Sequence, residues 1–210
     1  AIAKLRSRIL ADEARLEAVG KAYGFKSKTH FAVTSIVKGG VYKKTDVDWE
    51  VFDGKAPLVE GDEISTGSDG FTEILFTDGS KIKLGPNSSF KAARLGKRRS
   101  IYEVLKGRVH AEYVCIKRSK MPCRGRLNVR TPMAHIGVRG TEFSLEVQPG
   151  GALKAVVLEG VLELSELDPA GDSRTIVVRA GEKVALHEDG SIVGPIAIDT
   201  GPLDRWWEAW

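Results

Sequence analysis

The chain holds two cysteines, Cys115 and Cys123, with seven residues between them. A zinc site takes four ligands, and neither a second cysteine pair nor a suitably placed histidine completes a set. Two states stay open. The thiols close a disulfide across a hairpin loop in an oxidising compartment, or stay free in a reducing one. The four histidines, His30, His110, His135 and His187, fall in strand-like or turn contexts. They read as ordinary core or surface residues. The sequence contains no G-x-S-x-G, P-loop, H-E-x-x-H or G-x-G-x-x-G pattern, so it offers no catalytic residue, no metal site and no cofactor. Asp46, Asp48 and Asp53 alternate like calcium ligands but lack the glycine and terminal glutamate of an EF-hand loop.

Charge is the next source of chemistry. Residues 91–130 carry 13 Lys and Arg against only Glu103 and Glu112, a local balance of +11. The whole chain is +4, so the other 170 residues stand at −7. The runs Lys97-Arg98-Arg99 and Lys117-Arg118-Ser119-Lys120 are expected on long hairpin loops. These runs read as solvated loops, or else Arg98, Arg99, Lys117 and Arg118 are contacts to an acidic protein, an anionic glycan or a lipid surface. Nucleic acid fits poorly, because only Tyr102 and Tyr113 interleave aromatic rings with the charge.

Three of the four tryptophans, Trp206, Trp207 and Trp210, fall in the last five residues. Each can bury about 150–250 Å². This tail either folds back to cap the domain or anchors a partner.

The segment 131–143, TPMAHIGVRGTEF, has the look of a motif without belonging to a catalytic one. Pro132 fixes its own φ and keeps Thr131 extended. Residues 133–138 then alternate as a strand does, and Gly140 breaks the alternation. The expectation is a corner of the fold at Arg139, Gly140 and Thr141, with the Arg139 fork reaching a neighbouring carbonyl or carboxylate; the alternative is a binding loop with Arg139 as its charged contact.

The elements that must position these residues are mostly strands. Ile2, Leu5, Ile9, Leu16 and Val19 recur at helical spacing, and Gly20 and Gly24 mark a stop, which predicts a helix over 2–22. From Phe31 the period becomes two. Ten or more strands of four to seven residues follow, divided at Gly and Asp-Gly signals. Crossover helices are missing from the pattern, which argues against a parallel α/β sheet. The division is a helix over 1–24, a β domain over 31–190 and a Trp-rich segment over 191–210. No run reaches the roughly 20 apolar residues of a membrane helix, and no signal-peptide order is visible at the N-terminus.

Several stretches in order resemble one family. They are VTSIVKGGVYKK, LVEGDEISTGSDG, FTEILFTDGSKIKLGPNSSF, LKGRVHAEY, TPMAHIGVRGTEFSLEV, VVLEGVLEL and VVRAGEKVAL, spread over about 33–187. Together they resemble the FecR-type extracytoplasmic domain. The resemblance implies a mainly β domain, built as a β-roll or solenoid-like stack, placed in the periplasm or otherwise outside the cytoplasm. It implies a protein that binds other proteins and is not an enzyme. The best-known members regulate a sigma factor and take a signal from an outer-membrane transporter. They carry a cytoplasmic anti-sigma segment and one membrane helix ahead of the β domain, and neither is seen in this sequence. The leading expectation is an envelope interaction or scaffold domain, working as a subunit or oligomer with an envelope protein. The signal-receiving part of a sigma-factor regulator is the first alternative, and an anionic glycan or ligand module the second.

Overall fold

The computed structural model describes residues 2–26, 29–96, 99–113, 126–166 and 174–209. One helix, α1 (Ile2–Ala22), comes first. It closes at Gly24, whose φ of 66° turns the chain while Phe25 N–H bonds the Gly20 carbonyl at 2.8 Å. Glycine adopts that left-handed conformation at little steric cost, so it is a common helix stop.

Fourteen strands follow among the described residues. They are β1 (Ala32–Lys38), β2 (Val41–Lys44), β3 (Trp49–Val51), β4 (Glu63–Thr66), β5 (Phe71–Phe76), β6 (Ser80–Leu84) and β7 (Ser89–Arg94). Next are β8 (Arg99–Tyr113), β9 (Arg126–Arg130), β10 (Ala134–Val147), β11 (Leu153–Glu166), β12 (Thr175–Arg179), β13 (Glu182–Leu186) and β14 (Ile192–Ala197). All belong to one open sheet whose main path runs from β14 to β3. β14 joins that sheet, so the β structure continues past residue 190. A one-turn 3-10 segment, Trp206–Glu208, ends the fold.

Three strands are two to three times longer than the spacing of turn signals predicts. β8 and β11 each have a glycine at positive φ near the middle, Gly107 at 101° and Gly160 at 82°, and β10 has Gly140 at 61°. The sequence reading divides two strands at Gly160 and expects a corner at Gly140. All three glycines are corners within strands. Opposite Gly160 stand both Gly140 and Thr141, because Arg139 pairs with Val161 and Glu142 with Glu159. That two-against-one step is a bulge, which bends the pair.

Bending at three corners folds the sheet over itself. In the first layer β1, β5, β6, the second halves of β8 and β10, the first half of β11, β13 and β14 lie side by side. In the second layer the other halves join β12, β9, β7, β4, β2 and β3. The two ends of β10 return to one another: a Cβ on Gly151 would lie 2.7 Å from Met133 Cγ. Between the layers sits one apolar cluster. Phe76 of the first layer packs on Tyr102 and Phe90 of the second, with centroids 4.5 and 6.1 Å apart. Fully burying a Phe or Leu side chain stabilises the fold by about 1.5–3 kcal/mol. The coils of a solenoid would pair in parallel, whereas every pairing among the described residues is antiparallel except β8 with β9.

Candidate interaction face

Alternation along a strand sends every second side chain away from the core. In β8, Val109 and Ala111 enter the core, so His110 and Glu112 point outward from the first layer. Strand register then builds a transverse row. Glu73 of β5 stands opposite Lys83 of β6, Lys83 opposite His110, and His110 opposite Ser144 of β10. A second row runs beside it from Lys81 to Glu112 to Glu142.

Outward residues in such rows are normally solvated, but these are covered. The C-terminal segment crosses the layer and lays Trp207 on His110, with ring centroids 4.3 Å apart and planes 4° apart. His110 keeps 1% of its surface and Trp207 keeps 4%. Lys83 Nζ donates to the Trp207 carbonyl at 2.7 Å and lies 3.6 Å from Glu73 Oε2. Glu73 in turn accepts from Ser35 Oγ at 2.5 Å. Trp206 packs edge-on to Phe71, and the Arg108 guanidinium sits 5.2 Å above its ring. Arg108 also pairs with Asp204 at 2.8 Å. The segment is thus held by an aromatic stack, a charge-assisted hydrogen bond and a cation–π contact.

The electrostatics around His110 are unbalanced. Its Nε2 lies 3.7 Å from Glu112 Oε1 and 3.5 Å from Glu142 Oε1, and neither ring nitrogen has a hydrogen-bond partner among the described residues. The sequence reading of His110 as an ordinary satisfied residue is therefore corrected. His110 itself holds the Glu112 carboxyl below the usual carboxylate range, against the effect of burial and with help from Lys81 and Lys83. Burial pushes the Glu142 carboxyl above that range, and Glu112 and Glu159 add to the rise.

Helix α1 lies on the same layer. Leu16 and Val19 pack with Phe25 against Phe31, Val33 and Leu75. Arg15 Nη2 donates to the Thr34 carbonyl at 2.6 Å, and Asp12 pairs with Lys81 at 3.1 Å. A cleft of about 380 Å³ remains between α1, β1 and the loop after β3, lined in part by Arg15, Thr34, Asp53 and Lys55.

Residues 62–163 match the FecR protein family. The matched stretch runs from just before β4 into β11, so it contains β8, β10 and all three glycine corners. Residues 62–163 form a FecR domain. No curated protein matches the chain. Two crystal structures of a provisionally assigned anti-sigma factor from Parabacteroides distasonis share its fold. Each has a TM-score of 0.56 and 16% identity, and each covers 70% of this chain. The comparison covers 65% and 64% of those two chains. At that identity the likeness concerns fold alone.

The sequence-predicted residues distribute unevenly over this FecR domain. Gly140 and Thr141 form the β10 corner, where Thr141 Oγ1 donates to the Val161 carbonyl at 2.7 Å. Arg139 is exposed there, so the polar staple of the corner is Thr141 and not the Arg139 fork. Pro132 is exposed in the turn before β10. Arg99 is exposed at the start of β8. Trp206 and Trp207 come together on the outer face of the first layer. Arg98, Lys117, Arg118, Cys115, Cys123 and Trp210 lie outside the described residues. Sequence reasoning missed Glu73, Lys83 and His110. Alternation places His110 opposite the core, but nothing local says that a tryptophan 97 positions later covers it.

Proposed function

We propose that this chain is the signal-receiving part of a sigma-factor regulator, working outside the cytoplasm through protein–protein contact and not through catalysis. The observation that carries the reading is the FecR match over 62–163, set in a fold shared with a provisionally assigned anti-sigma factor over 70% of the chain. The covered face supplies the contact point. Trp206 and Trp207 rest on it through a few polar contacts, and the partner takes up or displaces that segment. Deleting residues 31–199 in the native host and sequencing total RNA tests the reading. A coherent set of transcripts from one alternative sigma factor should shift several-fold. An unchanged transcriptome overturns it.

A second reading, an envelope scaffold subunit, is favoured by the charge of residues 91–130. There Arg99 and its basic neighbours would meet an acidic protein or anionic surface. It predicts an unchanged transcriptome together with loss of an envelope assembly in the same strain.

A further inference from the structure

β3 is the last strand on the sheet path, and no strand among the described residues pairs with its outer edge. Two backbone hydrogen bonds fix which groups face outward. Thr45 N–H bonds the Asp48 carbonyl and Phe52 N–H bonds the Val41 carbonyl, both at 2.8 Å. With Lys43 opposite Glu50, the bonded pairs are Asp48, Glu50 and Phe52. In an antiparallel ladder the intervening residues turn their peptide groups away from the neighbour. These are Trp49 and Val51. Trp49 N–H is taken by Asp48 Oδ1 at 2.7 Å. The Trp49 carbonyl and both polar groups of the Val51 backbone remain directed at the free edge.

Natural sheets usually blunt such an edge with proline, lysine or a bulge. At the other end of the path, β14 carries Pro195, and a register shift interrupts its pairing with β13. The edge at β3 is instead apolar. Val51 is 80% exposed and Val47 95% exposed, and Trp49 is also exposed.

Charge names the occupant. Residues 46–53 read DVDWEVFD, four acids and no base in a chain of net charge +4. Lys55 offsets Asp53 at 2.6 Å. Lys43, opposite Glu50, is committed to Asp62 at 2.7 Å, and Lys44 to Glu63 at 3.2 Å, so Asp46, Asp48 and Glu50 have no ion pair among the described residues. Along β3 the apolar Trp49 and Val51 take one face, while Glu50 takes the other. An added strand that matches must alternate too, with apolar residues beside Trp49 and Val51 and cationic ones beside Asp48 and Glu50. We propose that the β3 edge binds an extended segment of another protein in which Lys or Arg alternates with apolar residues, adding it to the sheet as a strand. This stands on the edge itself and holds whether or not the chain regulates a sigma factor.

The test uses the full 210-residue chain and a blocked peptide, KVRVKVR, followed by amide NMR and hydrogen exchange. The peptide should slow exchange of the Val51 amide at least tenfold. The same residues reordered as KKRRVVV, and the acidic EVDVEVD, should not. Val51→Pro should abolish binding, since it removes the outward N–H and leaves the bonds to β2 intact. Glu50→Lys, an exposed change, should weaken KVRVKVR at least tenfold and admit EVDVEVD. Equal protection by KKRRVVV would mean charge attraction without strand addition, and overturns the proposal. So does binding that survives Val51→Pro in a folded chain. Self-association without peptide, lost in Val51→Pro, would assign the edge to a second copy and overturn it as well.

Discussion

The indole of Trp207 lies flat on the imidazole of His110, 4.3 Å away and 4° from parallel. The two residues are 97 positions apart, and their stack ties the end of the chain to the middle of the FecR domain. Because the segment around Trp207 is short and peripheral, it can open without unfolding the sheet. Removing a buried Trp side chain costs about 3–5 kcal/mol where the site cannot collapse. Trp207→Ala should therefore leave the sheet folded and free the tail. Cleavage after Arg205 by trypsin, followed by mass spectrometry, should accelerate from about 100-fold to a few thousand-fold, because cleavage tracks the open population. Cleavage at the wild-type rate would show that the stack does not hold the segment.

Glu112 and Glu142 face each other across β8 and β10 yet respond to pH in opposite ways. The Glu112 carboxyl is lowered, chiefly by His110. Its contribution is present above the usual carboxylate range and fades as pH falls through the folded value. The Glu142 carboxyl is raised, chiefly by burial. The folded state then holds its proton longer than the unfolded state, so stability falls as pH rises from the usual carboxylate value to the folded one. Glu142→Gln should raise Tm at pH 7 and change it little at pH 3. Glu112→Gln should lower Tm at pH 7, with the loss shrinking at pH 3. Thermal melts at the two pH values decide it, and equal shifts for both variants would refute the assignment.

Much of the fold was readable because alternation and turn chemistry are local. The helix over 2–22, the change of period at Phe31 and the mainly β class follow from neighbouring residues alone. The long strands were not readable, since Gly107, Gly140 and Gly160 give the same local signal as a hairpin glycine. Only the register across β10 and β11 shows that Gly140 and Gly160 face each other. The candidate face was hidden for a related reason. Trp206 and Trp207 stood out by composition, but Lys83, Glu73 and His110 look like solvated positions until a distant segment covers them.

Gly160 and Gly181 separate conformation from crowding. Their φ values are 82° and 80°, so alanine is strained similarly at both. A left-handed non-glycine residue costs about 1–2 kcal/mol. At Gly181 a new Cβ would meet nothing within 4 Å, whereas at Gly160 it would lie 2.2 Å from the Gly140 carbonyl oxygen. Overpacking against backbone adds about 1–3 kcal/mol. Urea unfolding should find Gly181→Ala down by about 1–2 kcal/mol and Gly160→Ala by about 2–5 kcal/mol. Equal losses would mean that the corner relaxes freely and does not fix the bend.

Among the described residues, Lys83 and Glu73 form an ion pair in which both partners are nearly buried. Removing one partner of such a pair strands the other charge, at a cost of about 3–5 kcal/mol. Lys83→Met does this to Glu73 and also takes the donor from the Trp207 carbonyl. Glu73→Gln leaves Lys83 its bond to that carbonyl, so it should cost less. In the double variant no charge is stranded, and stability should recover part of the Lys83→Met loss. A denaturant-based double-mutant cycle reads the coupling directly. Strictly additive losses would show that Glu73 and Lys83 act independently. The C-terminal segment would then be the sole reason a lysine sits beneath Trp207.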